Sequence, residues 1–133
     1  MGGKRMEEHM GQSNEKQHQD IRERTFQFAV RIVNLCQHLD ETPGVNWTLS
    51  KQLLRSGTSI GANAEEAQAA QSKADFISKF SIALKEANES YYWLRLMCDA
   101  GYLELQKAKQ LGKSAEHIIH LLIRSLKTAK FNV

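Results

Sequence analysis

The sequence predicts an all-α protein, an antiparallel up-down four-helix bundle, on three observations. It contains a single proline, Pro43, and is rich in Ala, Leu, Glu, Lys and Gln, which favour helix. Apolar residues recur with a helical period in four long segments, and no segment alternates as a half-buried strand does. The connections between these segments are short, which is typical of antiparallel neighbours in a bundle. A chain of 133 residues, 41% hydrophobic and 25% charged, suits one folded domain.

The first residues differ from the rest of the chain. Residues 1–19 are polar and aperiodic, so we predict a disordered N-terminal tail there and a four-helix bundle domain over residues 20–131. The tail lacks the apolar segment of a signal peptide, and no apolar run approaches the roughly 18 residues of a membrane span. Cys36 and Cys98 each lie within an apolar pattern and are predicted to be packing thiols. We therefore expect a cytoplasmic protein with no membrane contact.

The first helix is predicted from about Ile21 to Leu39, with Asp20 and Glu23 as a capping box. Its apolar residues cover about half of the circumference, more than the roughly 100° that packing onto one core requires. One row contains Ile21, Phe28, Ile32, Leu35 and Leu39, and the second contains Phe26, Ala29, Val33 and Cys36. The opposite, polar face carries Arg24, Gln27, Arg31, Asn34 and His38.

Three further helices follow, at about 47–70, 73–100 and 103–130. Ser72 and the aspartate three residues later form an N-terminal signature for the third helix. Gly101 is a natural residue to end it.

The stretch RSGTSIGAN, residues 55–63, contains two glycines inside the second helix. Gly57, Gly61 and Ala64 fall on the same face as Leu53 and Ile60, which indicates that another helix backbone comes close to this face. A phosphate-binding loop is the alternative, but it needs GxxxxGK[ST], or GxGxxG after a strand, and neither is present. We therefore predict close helix packing at these three residues.

Three longer motifs resemble one family. They are W-x-L-S-x-Q-L-x-R-S-G-T-S-I-G-A-N-x-x-E-A, S-x-x-D-F-I-x-K-x-x-I-A-L-K-E-A-x-E-x-x-Y-W-L and L-I-x-S-L-K-T. This pattern, from about Phe26 to Lys130, resembles the four helix bundle proteins, also called the large ribosomal RNA intervening-sequence proteins.

The resemblance implies an up-down four-helix bundle that assembles as a ring-like homopentamer. Some relatives are accessory proteins of diversity-generating retroelements, which bind nucleic acid and a reverse transcriptase. Others are encoded inside extra segments of the large ribosomal RNA gene. For most members no biochemical activity is established, so the resemblance informs the fold more than the function.

A metal centre is one chemical hypothesis for such a bundle. Glu86 and Glu89, with a glutamate of the second helix and His117 or His120, could form a di-iron carboxylate site. Such a site needs an inward Glu-x-x-His on two helices, and the predicted third and fourth helices have Glu-x-x-Glu and His-x-x-His instead. We therefore expect no metal and no cofactor, and predict that the two glutamates pair with a neighbouring arginine or lysine.

Nucleophilic catalysis has no better support. The serines from residue 50 onward are predicted to be caps or packing residues, with the exception of Ser125. No histidine lies beside either cysteine in an evident arrangement, so we expect no catalytic residue and no enzyme.

Charge is the clearest functional signal. Residues 103–133 hold six basic residues against two acidic ones. On a helical wheel, five side chains cluster within about 60°, and we call them the basic stripe: Lys109, Lys113, His120, Arg124 and Lys127. A solvated face is the alternative, but a ring that repeats the stripe in every subunit concentrates its field. Contacts to the phosphates of RNA or DNA, without sequence readout, are the predicted mode.

The third helix also suggests self-assembly. One of its faces is assigned to the core, yet Ile82, Tyr92, Trp93 and Leu96 lie on roughly the opposite side. One bundle cannot bury both faces, so we predict that these four residues form an oligomer interface.

The functional hypothesis is a non-enzymatic, homo-oligomeric nucleic-acid-binding or accessory scaffold protein. The number five comes from the resemblance alone. The alternative is a protein-interaction module that binds a partner protein, such as a reverse transcriptase, without nucleic acid.

Overall fold

The computed structural model describes residues 2–41 and 43–131, with side chains from residue 15 onward. Within these residues the chain forms four helices and no strand: α1 (Gly2–Leu39), α2 (Val45–Gln68), α3 (Lys73–Asp99) and α4 (Leu105–Phe131). Helix α2 packs on α1 and α3, and α4 packs on α3 and, over a smaller area, on α1. The result is a four-helix bundle in which α1 and α3 lie on a diagonal, with none of their described Cα atoms within 8 Å of one another.

Helix α1 starts earlier than the sequence indicated. It runs without a break through residue 20, so Asp20 is not an N-cap, and its carboxylate instead accepts a hydrogen bond from Arg24 Nε at 2.9 Å. His18 is half-buried, and its ring centroid lies 5.1 Å from that of Phe76 and 5.7 Å from that of Phe80. Helical packing therefore reaches back at least to residue 18, while disorder of residues 1–19 in solution stays a prediction.

The turn between α1 and α2 is closed by two side chains from the start of α2. Asn46 Nδ2 donates to the Leu39 carbonyl at 2.7 Å, and Trp47 Nε1 donates to the Asp40 carbonyl at 2.7 Å. These carbonyls belong to the end of α1, where no intrahelical donor is available. Helix α2 therefore begins at Val45, two residues before the predicted start, because Trp47 is part of its first turn.

Both predicted ends of α3 have the expected local chemistry. Ser72 is extended, and its Oγ accepts the Asp75 amide hydrogen bond at 3.1 Å. At the other end Gly101 has φ +85°, and the amides of Gly101 and Tyr102 donate to the carbonyls of Cys98 and Met97. This pairing is a Schellman motif, which glycine favours because it carries no Cβ.

The core lies along the predicted apolar rows. Its largest fully buried side chains include Phe28, Ile32, Leu53, Ile60, Phe80, Leu94, Met97, Leu111 and Leu122. The first row of α1 is buried, but in the second row Phe26 is 61% and Val33 44% exposed. Cys36 is buried as predicted, whereas Cys98 is only half-buried.

Candidate nucleic-acid interface

The basic stripe lies on the outer face of α4. All five of its members are exposed, and none of them takes part in an ion pair among the described residues. The opposite face of the same helix carries the buried core row, which fixes the stripe on the outer side of the bundle: Leu111, Ile118, Leu122 and Leu126. Positive charge without a protein partner is available to an anion from solution.

A polar groove borders the stripe where α4 meets α1. Two adjoining cavities of about 420 and 240 Å³ share Arg31, whose Nη1 donates to Ser114 Oγ at 2.8 Å. The basic side chains along the groove are Arg24, Arg31 and His38 from α1, and Lys107, Lys113 and His117 from α4. Lys113 thus belongs both to the stripe and to the groove.

The α1 side of this groove is a part of the candidate interface that sequence reasoning missed. Arg24, Arg31 and His38 were identified only as the polar face of the first helix. The sequence does show these basic residues at helical spacing along α1. Only the packing of α1 beside α4 shows that they border the basic stripe.

The predicted small-residue face of α2 lies against α1. An added Cβ on Gly57 would lie 2.8 Å from Ile32 Cγ2, and one on Gly61 would lie 3.3 Å from the Thr25 carbonyl oxygen. Ala64 is fully buried. These contacts fix α1 relative to α2, and so the position of the α1 cations.

Sequence comparison identifies the family. The sequence profile of the 23S rRNA-intervening sequence proteins matches residues 17–124. The chain belongs to the 23S rRNA-intervening sequence protein family. No curated protein matches the chain.

A solved structure supports this assignment. It is a protein of unknown function from the S23 ribosomal protein family of Bacteroides thetaiotaomicron VPI-5482, 46% identical to this chain with a TM-score of 0.79. The match covers 84% of this chain and 99% of that one. The name of the family carries no biochemical activity, so function rests on the geometry of this chain.

The two glutamates of the metal hypothesis belong to a different site, between α2 and α3. Arg55 Nη1 donates to Glu86 Oε2 at 3.2 Å, and Arg55 Nη2 donates to Glu89 Oε1. Glu86 is buried, and the hydrogen bond from Arg55 lowers the pKa of Glu89. The predicted pairing with an arginine is therefore confirmed.

The histidines of that hypothesis lie elsewhere. His117 and His120 are exposed on α4, away from the Arg55 pair. In the part of the chain that the structure describes, no three His, Cys, Asp or Glu side chains are grouped to hold a metal ion. Likewise, none of the described helices is long and apolar enough to cross a membrane.

Two other pairs of polar groups in the core are hydrogen-bonded across helices. The hydroxyls of Ser56 and Ser90 lie 2.9 Å apart, and the Cys36 thiol donates to the Ser50 carbonyl at 3.4 Å. Burial raises the pKa of Cys36, which disfavours the reactive thiolate. Ser125, the exception among the serines, is buried on α4.

The predicted oligomer interface divides in two. Ile82 is 38%, Tyr92 56% and Leu96 36% exposed, so these three are available to a partner. Trp93 departs from the prediction: it is half-buried against the core, and its Nε1 donates to Glu89 Oε1 at 3.2 Å. This hydrogen bond to a glutamate one helical turn earlier holds the indole against the bundle.

Proposed function

We propose that this member of the 23S rRNA-intervening sequence protein family is a non-enzymatic homo-oligomer that binds RNA or DNA through the basic stripe and the adjoining α1–α4 groove. One observation supports this most directly. The stripe is exposed and without ion pairs among the described residues, and the packing of α1 adds Arg31 to its border.

The chemistry of this surface suits phosphates. Arginine and lysine side chains along two neighbouring helices can neutralise successive phosphates and release their condensed counterions. The α1–α4 groove carries amides, the Ser114 hydroxyl and imidazoles beside the cations, together with one carboxylate, that of Glu23. Such contacts position a nucleic acid but do not read base edges, so we propose binding with little sequence preference.

Assembly would multiply this surface. The exposed apolar residues lie on two helices at diagonal positions of the bundle, Phe26, Val30 and Val33 on α1 and Ile82, Tyr92 and Leu96 on α3. Two different apolar faces favour a head-to-tail contact, and such contacts form a ring when the rotation between successive copies closes. We propose a ring of antiparallel bundles, with the five copies that the family resemblance implies.

The same apolar faces favour one alternative. They could bind a different protein, such as a reverse transcriptase, and the protein would then be an interaction module without nucleic acid. We place either activity in the cytoplasm, because the free thiols of Cys36 and Cys98 suit a reducing compartment.

Fluorescence anisotropy at about 50 mM salt separates these functions. The proposal expects wild-type protein to bind both structured RNA and duplex DNA there, with affinity that falls as salt rises. Absence of binding to either nucleic acid overturns the proposal and favours the protein-partner alternative.

A further inference from the structure

A second groove borders the basic stripe on its other side, between α3 and α4. It encloses about 470 Å³, within the range of small-molecule sites. The floor of this groove is apolar and is formed by Leu94, Ala108 and Gly112, which are buried or half-buried. Two of these residues, an alanine and a glycine, leave room above α4 because they have almost no side chain. Lys109 and Lys113, both members of the stripe, stand at its edge.

An aromatic ring forms one wall of this α3–α4 groove. Tyr91 Cε2 lies 3.6 Å from the position of a Cβ on Gly112, so the ring packs closely against α4. The Arg95 guanidinium carbon lies 6.0 Å from the ring centroid, and interaction with the Glu116 carboxylate raises the pKa of Tyr91. These contacts hold the ring and a planar cation together beside the apolar floor.

The charges around the groove are unevenly placed. Arg95, Lys109 and Lys113 carry positive charge on this groove, against the two carboxylates of Glu116 and of Asp99, which is the last residue of α3. An anionic group is therefore favoured over α4, at the stripe, and an uncharged planar group is favoured on the floor.

We propose that the α3–α4 groove binds an unpaired nucleobase of a single-stranded nucleic acid whose phosphates lie on the basic stripe. This inference rests on the proposed function and adds a ligand class to it. A nucleotide has the required combination, a flat face for Tyr91 and Arg95 and a phosphate for Lys109 and Lys113. A duplex cannot enter in this way, because its bases are stacked and paired.

The first test compares a short oligouridine with a duplex of equal length, by anisotropy at about 50 mM salt. Ala108→Phe fills the groove and leaves every cation in place, and Tyr91→Leu removes the ring. Each should weaken oligouridine binding by about 5- to 150-fold, the range expected for one stacked base. Duplex binding should not change, and Tyr91→Phe should bind oligouridine like the wild type.

Tyr102→Leu is the matched control, because Tyr102 is 40% exposed and does not line the groove. It should bind oligouridine as the wild type does. Helix content by circular dichroism and native mass show that each variant is folded.

The second test needs no variant. Cys98 lines the groove and is half-buried, whereas Cys36 is buried between α1 and α2. Oligouridine should slow the reaction of the Cys98 thiol with a disulfide reagent, and the duplex should slow it less. If the wild type binds oligouridine but Cys98 reacts at an unchanged rate and Ala108→Phe binds equally well, the groove is not the site. If it binds neither nucleic acid, the proposed function itself fails.

Discussion

A Cβ atom on Gly57 would lie 2.8 Å from Cγ2 of Ile32, a fully buried side chain of α1. Carbon atoms in favourable contact are about 3.5–4.0 Å apart, so the absence of a side chain at Gly57 is what allows α1 and α2 to approach. Gly61 lies in the same way against the backbone of Thr25. This contact positions the groove that borders the basic stripe.

We predict that Gly57→Ala destabilises the fold although alanine favours helix. The overlap with Ile32 costs about 1–3 kcal/mol, and the gain in helix propensity returns only about 1 kcal/mol. Gly57→Leu and Gly61→Leu should lower the free energy of unfolding further. Urea denaturation of each variant measures the effect.

Gly112→Ala is the matched control for this prediction. Its Cβ would lie 3.6 Å from Tyr91, an ordinary contact, so the variant should be more stable by about 0.5–1 kcal/mol. If Gly57→Ala is stabilised as much as Gly112→Ala, the close approach of α1 and α2 is wrong.

We predict that Arg55→Gln destabilises the protein at neutral pH, since it leaves Glu86 buried without its cation. The Arg55 side chain is 49% exposed, so solvent screening limits the loss to about 1 kcal/mol. Lys79→Gln, which breaks the more exposed pair with Glu66, should have a smaller effect.

The same pair makes a prediction about pH. The hydrogen bond from Arg55 holds the pKa of Glu89 below its ordinary value of 4.5. The folded state therefore binds fewer protons than the unfolded state in this range, and the stabilisation is present above pH 4.5 and lost as pH falls through the folded pKa. Urea titrations at neutral and acidic pH should show a smaller acid loss in Arg55→Gln. An equal loss in both proteins would mean that Glu89 gains nothing from Arg55.

We predict that Tyr92→Glu with Leu96→Glu dissociates the oligomer. Both side chains are exposed on α3, where new charges would oppose burial against another copy. Native mass spectrometry should show a defined oligomer for the wild type and a species near the chain mass of 15.1 kDa for the variant. Gln52→Glu on exposed α2 surface should remain oligomeric. A monomeric wild type at micromolar concentration removes the ring from the proposal.

We predict that replacing Lys109, Lys113, Arg124 and Lys127 by glutamine weakens duplex binding about equally for all sequences. The variant should also bind with a flatter salt dependence, since each lost phosphate contact removes about 0.9 from the slope of log affinity against log salt. The fold should persist because these four side chains are exposed.

Lys51→Gln with Lys85→Gln serves as the control, since both lysines are exposed but lie on α2 and α3. It should lose little affinity. A quadruple variant that binds as tightly as this control would show that the stripe is not the binding surface.

The features that could be predicted from the sequence are those that depend on a few neighbouring residues. The core row of α4 follows from helical periodicity. The Ser72 cap and the glycine at 101 follow from hydrogen bonds between groups three to five residues apart. The predicted N-cap at Asp20 was wrong for the same reason, because a local capping pattern can also occur inside a longer helix. There the carboxylate of Asp20 pairs with Arg24.

The sequence alone therefore determined the helical class, the family resemblance and the basic stripe. Only the tertiary structure decided which residues meet across helices: Arg55 with Glu86, Gly57 with Ile32, Arg31 with Ser114, and Tyr91 with Gly112. The physical reason is range. Periodicity and caps act within a few residues of one helix, whereas these contacts join residues 21 to 83 apart, at positions set by the packing of four buried surfaces.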